Sequence, residues 1–304
     1  MNNENAEGDF TRYTIGTILF LGLGVLFYAI NIDLVDIVDK SINSFHSTSS
    51  LVLLWRITCL SVGVCAIIYM FSCGPGNMRV LMIKSSEEQI YHPEGIAKFI
   101  TFSSWTLLVN VIYFASATLI QVLDYFDIAS PHFLSQIQVF AFCTGIAIAF
   151  LTATIVRHVI LPDEAKLGRN VDHMFLFHEQ VMHNFAAIFL VIELIILRPK
   201  LMPEFAIFGL LLGITYVVFA YLFAYYGGGY LAYSFLHPKP KIAPLLVIGL
   251  ASSIAIFYTG VWLVSTLDRV LAGTLLSGWV MLIVQFKPTK IDPSVCKTTE
   301  EIPH

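Results

Sequence analysis

The apolar residues of this 304-residue chain come in runs of about twenty, and that feature fixes most of what it can fold into. A run of that length, wound as a helix, crosses the ~30 Å hydrocarbon core of a bilayer. Inside lipid no water satisfies backbone N–H and C=O groups, so each such segment must bond to itself. No segment alternates apolar and polar residues with a period of two, so an outer-membrane barrel is not supported. The expected fold is all-α, a polytopic transmembrane helical bundle. Composition agrees: 57% of residues are hydrophobic, 12% are charged and the mean hydropathy is +0.78. Soluble domains carry about twice that charge.

Spans are read at 12–31, 51–73, 97–122, 137–160, 174–197, 204–230, 243–265 and 267–286, about eight in all. The last two are nearly continuous, and as one helix would exceed a bilayer, so a tight hairpin is expected at Ser265–Arg269. Most prolines, Pro75, Pro93, Pro131, Pro162, Pro199 and Pro288 among them, fall at or just outside span ends, where a missing donor does least harm. Polar segments 1–11 and 287–304 are read as a disordered head and tail around a single domain, 12–286. The loops expected on one side, with both termini, hold twelve Lys and Arg residues, and the opposite loops hold Lys40, Arg198, Lys200 and Arg269. Cytoplasmic loops carry the excess of Lys and Arg, so both termini are expected in the cytoplasm. Met1–Phe10 has acidic residues and no Lys or Arg, the wrong charge for a signal peptide. The five cysteines are irregularly spaced and form no C-x-x-C pair, so no zinc site or disulfide framework is expected.

Ionisable residues within spans are expensive and point to function by default. The fifth span opens Asp172-His173-Met174-Phe175-Leu176-Phe177-His178-Glu179-Gln180-Val181-Met182-His183-Asn184. At helical spacing Asp172, Glu179 and His183 share one stripe, and Glu179 lies one turn from His183. A carboxylate so placed can orient an imidazole. Arg56 in the second span and Glu193 in the fifth lie at matching depths from one end, which predicts that they pair. Thr101, at the start of the third span, reads on its own as a residue that bonds back to the helix. Gly227-Gly228-Gly229, after Tyr225-Tyr226, predict a break or a close backbone approach.

Three short stretches, taken in order, resemble one family. Lys98-Phe99-Ile100-Thr101-Phe102 is similar to the K-F-L-T-F segment of the androgen-induced-gene and androgen-dependent TFPI-regulating proteins. Met182-His183, followed by Phe189-Leu190-Val191-Ile192-Glu193, resembles their M-H…F-I-L-I-E segment, and Tyr233-Ser234-Phe235-Leu236 their Y-P-F-L segment. The resemblance covers about 97–260, and 82 residues separate Thr101 from His183. The chain departs from the family at Gln180, where a His stands, at Tyr225-Tyr226, where a His pair stands, and at Ser234, where a Pro stands. It also adds a span at each end.

The resemblance implies a multi-pass intramembrane hydrolase that cleaves fatty acid esters of hydroxy fatty acids, or similar lipid esters. Carried over, Thr101 is the nucleophile and His183 the general base. Glu179 is then the orienting group, and Asn184, Ser104, Tyr225 and Tyr226 are candidate oxyanion donors. Neither cofactor nor metal is expected. The expected partners are membrane lipids and the ester substrate, not nucleic acid, and the expected location is the endoplasmic reticulum or plasma membrane. The competing reading is a non-catalytic integral membrane protein, either an inactive relative or an accessory subunit of a membrane complex.

Overall fold

The computed structural model describes residues 8–288. The expected disordered head and tail fall mostly on residues 1–7 and 289–304, outside the described residues. Among the described residues seven helices are long and apolar enough to cross a membrane. They are α1 (Thr11–Asn31), α3 (Ser50–Ser72), α4 (Phe102–Tyr125), α5 (His132–Lys166), α6 (Phe177–Leu197), α7 (Ala206–Tyr226) and α8 (Ala243–Ser265). Two shorter helices, α2 (Leu34–Ile42) and α9 (Arg269–Ile283), complete the bundle. The chain is a polytopic all-α membrane protein.

The expected eighth span differs from the other seven. The hairpin falls where the sequence places it, between Ser265 and Arg269, with Asp268 capping α9 through the N–H groups of Val270 and Leu271. The helix that follows has only 15 residues, about 22 Å at ~1.5 Å per residue, short of a ~30 Å core. Val284 turns extended, and the chain continues to Pro288 without helix. Another departure is α2, inside what reads as a loop. Asp33, in left-handed backbone, starts it by accepting from the Asp36 N–H, and the helix buries Val38 and Ile42.

Helix α5 is the axis of the bundle. Every residue from Ala141 to Ala153 is buried. Small residues let its neighbours approach, as packing in lipid requires. A Cβ on Gly145 would come within 3.2 Å of Leu190, and one on Gly209 of α7 within 3.3 Å of Ala147. By contrast α1 is peripheral, burying only Thr14 and Ile18.

One end of the bundle carries a small antiparallel sheet that the sequence pattern did not suggest. Strand β1 (Met78–Met82) pairs with β2 (Glu88–Tyr91), Met78 opposite Tyr91, and with β3 (Tyr230–Leu231), Leu81 opposite Leu231. The sheet thus joins the α3–α4 loop to the segment after α7. Gly229 makes the turn into β3 at φ 76°, and a Cβ on Gly228 would lie 2.3 Å from the Phe223 ring, so larger residues do not fit there. Other bonds gather the remaining loops at this end. The Phe10 N–H donates to Lys239 O, Arg79 pairs with Glu164 beyond α5's π turn, and Arg157 donates to Val284 O. Both described termini therefore lie at the sheet end.

The most completely buried ion pair among the described residues is Arg56–Glu193. Arg56 Nε donates to Glu193 Oε1 at 2.7 Å, and both side chains are almost wholly buried. Its other nitrogens donate to Gln121 Oε1 at 3.0 Å and Phe45 O at 2.9 Å, while Tyr113 OH donates to Glu193 Oε1 at 2.9 Å. Three spanning helices and the α2–α3 connection meet there. Removing one partner strands the other charge, at a cost of about 3–5 kcal/mol, whereas apolar replacement of both is often near neutral. Arg56→Met and Glu193→Leu should each lower the unfolding temperature in detergent strongly, and the double variant should recover most of the loss.

Candidate functional site

At the sheet end, α4 begins on a built platform. A 3-10 turn, Gly95–Ile100, leads into it, and the Lys98 ammonium folds inward to donate to Met70 O and Gly74 O, the open carbonyls at the end of α3. Thr101 follows in extended backbone (φ −82°, ψ 147°), the conformation of an N-cap. Its Oγ1 accepts from the Ser104 N–H at 3.3 Å and from Ser103 Oγ at 3.2 Å. Ser104 Oγ lies 2.7 Å from Thr101 Oγ1 but donates its own proton to Lys98 O at 2.8 Å. A hydroxyl has one proton, so in the Thr101–Ser104 contact Thr101 must be the donor.

Tyr233 closes this corner. Its OH accepts from the Phe102 N–H at 3.1 Å, an orphan donor in the first turn of α4. Burial pushes the phenol up to about 12, so it stays protonated and keeps a proton to donate. In the sequence Tyr233 stood only as part of a motif. What reveals it as a site residue is the chain path after β3, which no local pattern encodes.

The opposing wall is the start of α6. Leu176 is extended (φ −62°, ψ 157°), and helix begins at Phe177. This corrects the single stripe of Asp172, Glu179 and His183, because Asp172 sits in a separate 3-10 turn, Asp172–Phe175. Glu179 and His183 remain neighbours, with Glu179 Oε2 3.4 Å from His183 Nε2 and its Oε1 3.4 Å from His178 Nε2. One carboxylate thus faces two imidazoles. With Nε2 facing the Glu179 carboxylate, a neutral His183 is favoured with its proton on Nε2, which leaves the free lone pair on Nδ1. Nδ1 is buried and has no hydrogen-bond partner among the described residues. His183 also lies at the middle of a π turn, Val181–Phe185, a helix irregularity frequent at functional sites.

The Tyr113–Glu193 hydrogen bond sets the height of both walls. From it α4 runs 12 residues back to Thr101, about 18 Å, and α6 runs 10 residues back to His183, about 15 Å. Phe99, Leu107, Val181 and Met182, neighbours of the two residues in sequence, belong to one apolar cluster with Met70. No hydrogen bond joins Thr101 to His183 among the described residues; Thr101 Oγ1 is engaged with Ser103 and Ser104.

The other candidates divide. Ser104 touches Thr101 directly. Asn184 is turned elsewhere: its Nδ2 donates to Gln285 O at 2.7 Å and to Gln180 Oε1 at 2.7 Å, and its Oδ1 accepts from the Gln285 N–H at 3.0 Å. Tyr225 and Tyr226 are exposed at the end of α7. Among the described residues no three His, Cys, Asp or Glu side chains are placed to hold a metal ion.

Fold and site together define a multi-pass helical membrane protein with a polar cluster at the sheet end of its bundle. Comparisons with family models, curated proteins and solved structures returned no match.

The Asn184 clamp gives a direct prediction. It fastens the extended segment after α9 to the π turn that carries His183. Each hydrogen bond contributes about 0.5–1.5 kcal/mol, and ~1.4 kcal/mol is a factor of ten. In Asn184→Ala the Gln285 amide should exchange its hydrogen about tenfold or more faster, read by exchange mass spectrometry of the solubilised protein.

Proposed function

We propose that this protein is an intramembrane hydrolase of lipid carboxylic esters, with Thr101 as nucleophile and His183 as general base. The observation that carries the reading is the common height of the two residues on α4 and α6, on walls that share one apolar cluster. The substrate class is fatty acid esters of hydroxy fatty acids or similar lipids, whose acyl chains stay in the leaflet while the ester reaches the bundle end. The sheet end faces the cytoplasm on this reading, with both termini, in endoplasmic reticulum or plasma membrane. The Lys and Arg excess supports that orientation.

In the reaction Thr101 turns its proton from Ser104 to Nδ1 of His183, and its oxygen attacks the ester carbonyl. The carbonyl becomes an oxyanion near the first-turn N–H groups of α4, the positive end of the helix. Collapse forms an acyl-threonine and releases the alcohol, which takes the proton back from His183. Water, deprotonated by His183, then cleaves the acyl-enzyme to free acid. Glu179 holds the tautomer with Nδ1 unprotonated and stabilises the imidazolium. Tyr233 keeps a proton that it can direct at the carbonyl oxygen.

The second reading is a non-catalytic membrane protein, and one observation favours it: capping α4 accounts for every hydrogen bond that Thr101 makes. The two readings part in one experiment. Wild type, Thr101→Ser, Thr101→Ala and His183→Ala are expressed, exposed to an activity probe for serine and threonine hydrolases, and assayed on branched lipid esters. Thr101→Ser preserves both cap and nucleophile, so it should label and turn over. Thr101→Ala should lose labelling, and His183→Ala should lose about 10²–10⁴-fold in rate. Wild type that labels no better than Thr101→Ala sinks the hydrolase reading.

A further inference from the structure

A second polar site lies deeper in the bundle, between the candidate centre and the Arg56–Glu193 pair. A small cavity opens where α3, α4 and the π turn of α6 meet, lined by Cys59, Gly63, Asn110, Phe114, Val181 and Phe189 among others. Its size leaves room for about one water molecule and for no acyl chain. Asn110 is the one amide on its wall. The residue is 5% exposed, and neither Oδ1 nor Nδ2 has a hydrogen-bond partner among the described residues. An amide in that state carries a desolvation penalty in a protein interior and a larger one in a membrane.

The cavity is not randomly placed. Cys59 is three residues from Arg56 on α3, Asn110 three from Tyr113 on α4, and Phe189 four from Glu193 on α6. It therefore sits one helical turn from the ion-pair network on all three helices, about 5 Å toward the sheet end. Glu193 leans that way, since helical side chains tilt toward the helix N-terminus. Its Oε1 is shared by Arg56 and Tyr113, and its Oε2 is buried with no partner among the described residues. A water molecule bridges two polar atoms some 5–6 Å apart, which is about one helical turn.

We infer that this cavity is a binding site for a single water molecule, held by the Asn110 amide and bridging it to Glu193 Oε2. The water accepts from Nδ2 and donates to the carboxylate, which gives Asn110 Nδ2 and Glu193 Oε2 the partners they lack. It extends the ion-pair network by one turn, to the underside of the π turn that carries His183. This inference stands apart from the hydrolase reading, because it uses none of Thr101, His183 or Glu179.

The test is X-ray hydroxyl-radical footprinting of the full chain in detergent, in ¹⁸O water, with oxidation of each cysteine read by mass spectrometry. Radiolysis of a bound water oxidises the side chains beside it, even where bulk solvent does not reach. The molecule carries its own control: Cys59 and Cys143 are both buried, and only Cys59 lines the cavity. Cys59 should gain the label while Cys143 does not. Asn110→Leu should lose the Cys59 label while the buried Cys143 stays unlabelled, which also reports that the variant folds. Gly63→Ala, whose Cβ would press to 2.7 Å from the Val111 side chain, crowds the cavity from α3 and should lose the label too. Cys59 labelled no faster than Cys143 in wild type overturns the inference, as does equal Cys59 labelling in wild type and Asn110→Leu.

Discussion

The Arg56–Glu193 pair is the contact on which the rest of the arrangement depends. A charge in a low-dielectric interior must be paired and hydrogen-bonded or it neutralises. Arg56 meets that demand with four acceptors drawn from different elements: Glu193 of α6, Gln121 and Ala117 of α4, and the Phe45 carbonyl before α3. Apolar contacts between lipid-buried helices tolerate sliding and rotation, since a leucine packs much the same against several neighbours. A guanidinium with directed bonds does not. The network therefore fixes how far α3, α4 and α6 stand along one another, and that height places Thr101 and His183 at comparable depth some 15–18 Å away.

The sheet end uses a different device. There the chain leaves the membrane, water competes for every polar group, and single ion pairs are worth little. Order comes instead from backbone-to-backbone and side-chain-to-backbone bonds. Strand β1 pairs with strands on both sides, Lys98 fills the open carbonyls at the end of α3, and Asn184 grips both backbone groups of Gln285. Each of these joins segments far apart in sequence. Together they hold the start of α4 and the start of α6 from both directions, by the ion pair beneath and by the loops above.

How much of this was legible in the sequence follows from what each feature depends on. Spans were legible because their cause is local: a run of apolar residues has one stable form in lipid. The Arg56–Glu193 pairing was legible because both charges sit at matched depths and neither could be left alone. The short α9 was less so, because hydropathy runs on through Val284 to Phe286 while the backbone there is extended, held by Asn184 and Arg157. The sheet was not legible, since Tyr230–Leu231 is too short to show alternation and pairs only because the bundle delivers it to β1. At the site, the spacing of Glu179 and His183 carried their contact, but Asp172 did not join them, because Leu176 interrupts the helix in between. Asn184 read as a candidate oxyanion donor because its side chain is polar and adjacent to His183. Besides Gln180 one turn back, its partner is a backbone 101 residues away, which no local pattern shows.

Thr101 sits where one geometry suits both the cap that it forms and the nucleophile proposed there. An N-cap side chain must sit with its oxygen over the first-turn N–H groups of a helix, which is where the helix offers positive charge. Those groups suit a developing oxyanion for the same reason that they suit a cap. A threonine in that position is held in one rotamer by the bonds it makes, so a nucleophile placed there needs little reorganisation beyond turning its O–H. The cost is that its proton points at Ser104 rather than at His183, whose Nδ1 is buried without a partner among the described residues. On the proposed reading, an ester that displaced Ser104 from Thr101 would free that proton for the α6 wall, where the Nδ1 atoms of His178 and His183 are both buried without a hydrogen-bond partner among the described residues. On the proposed hydrolase reading, capping in the resting protein and attack on a bound ester would be successive states of one hydroxyl.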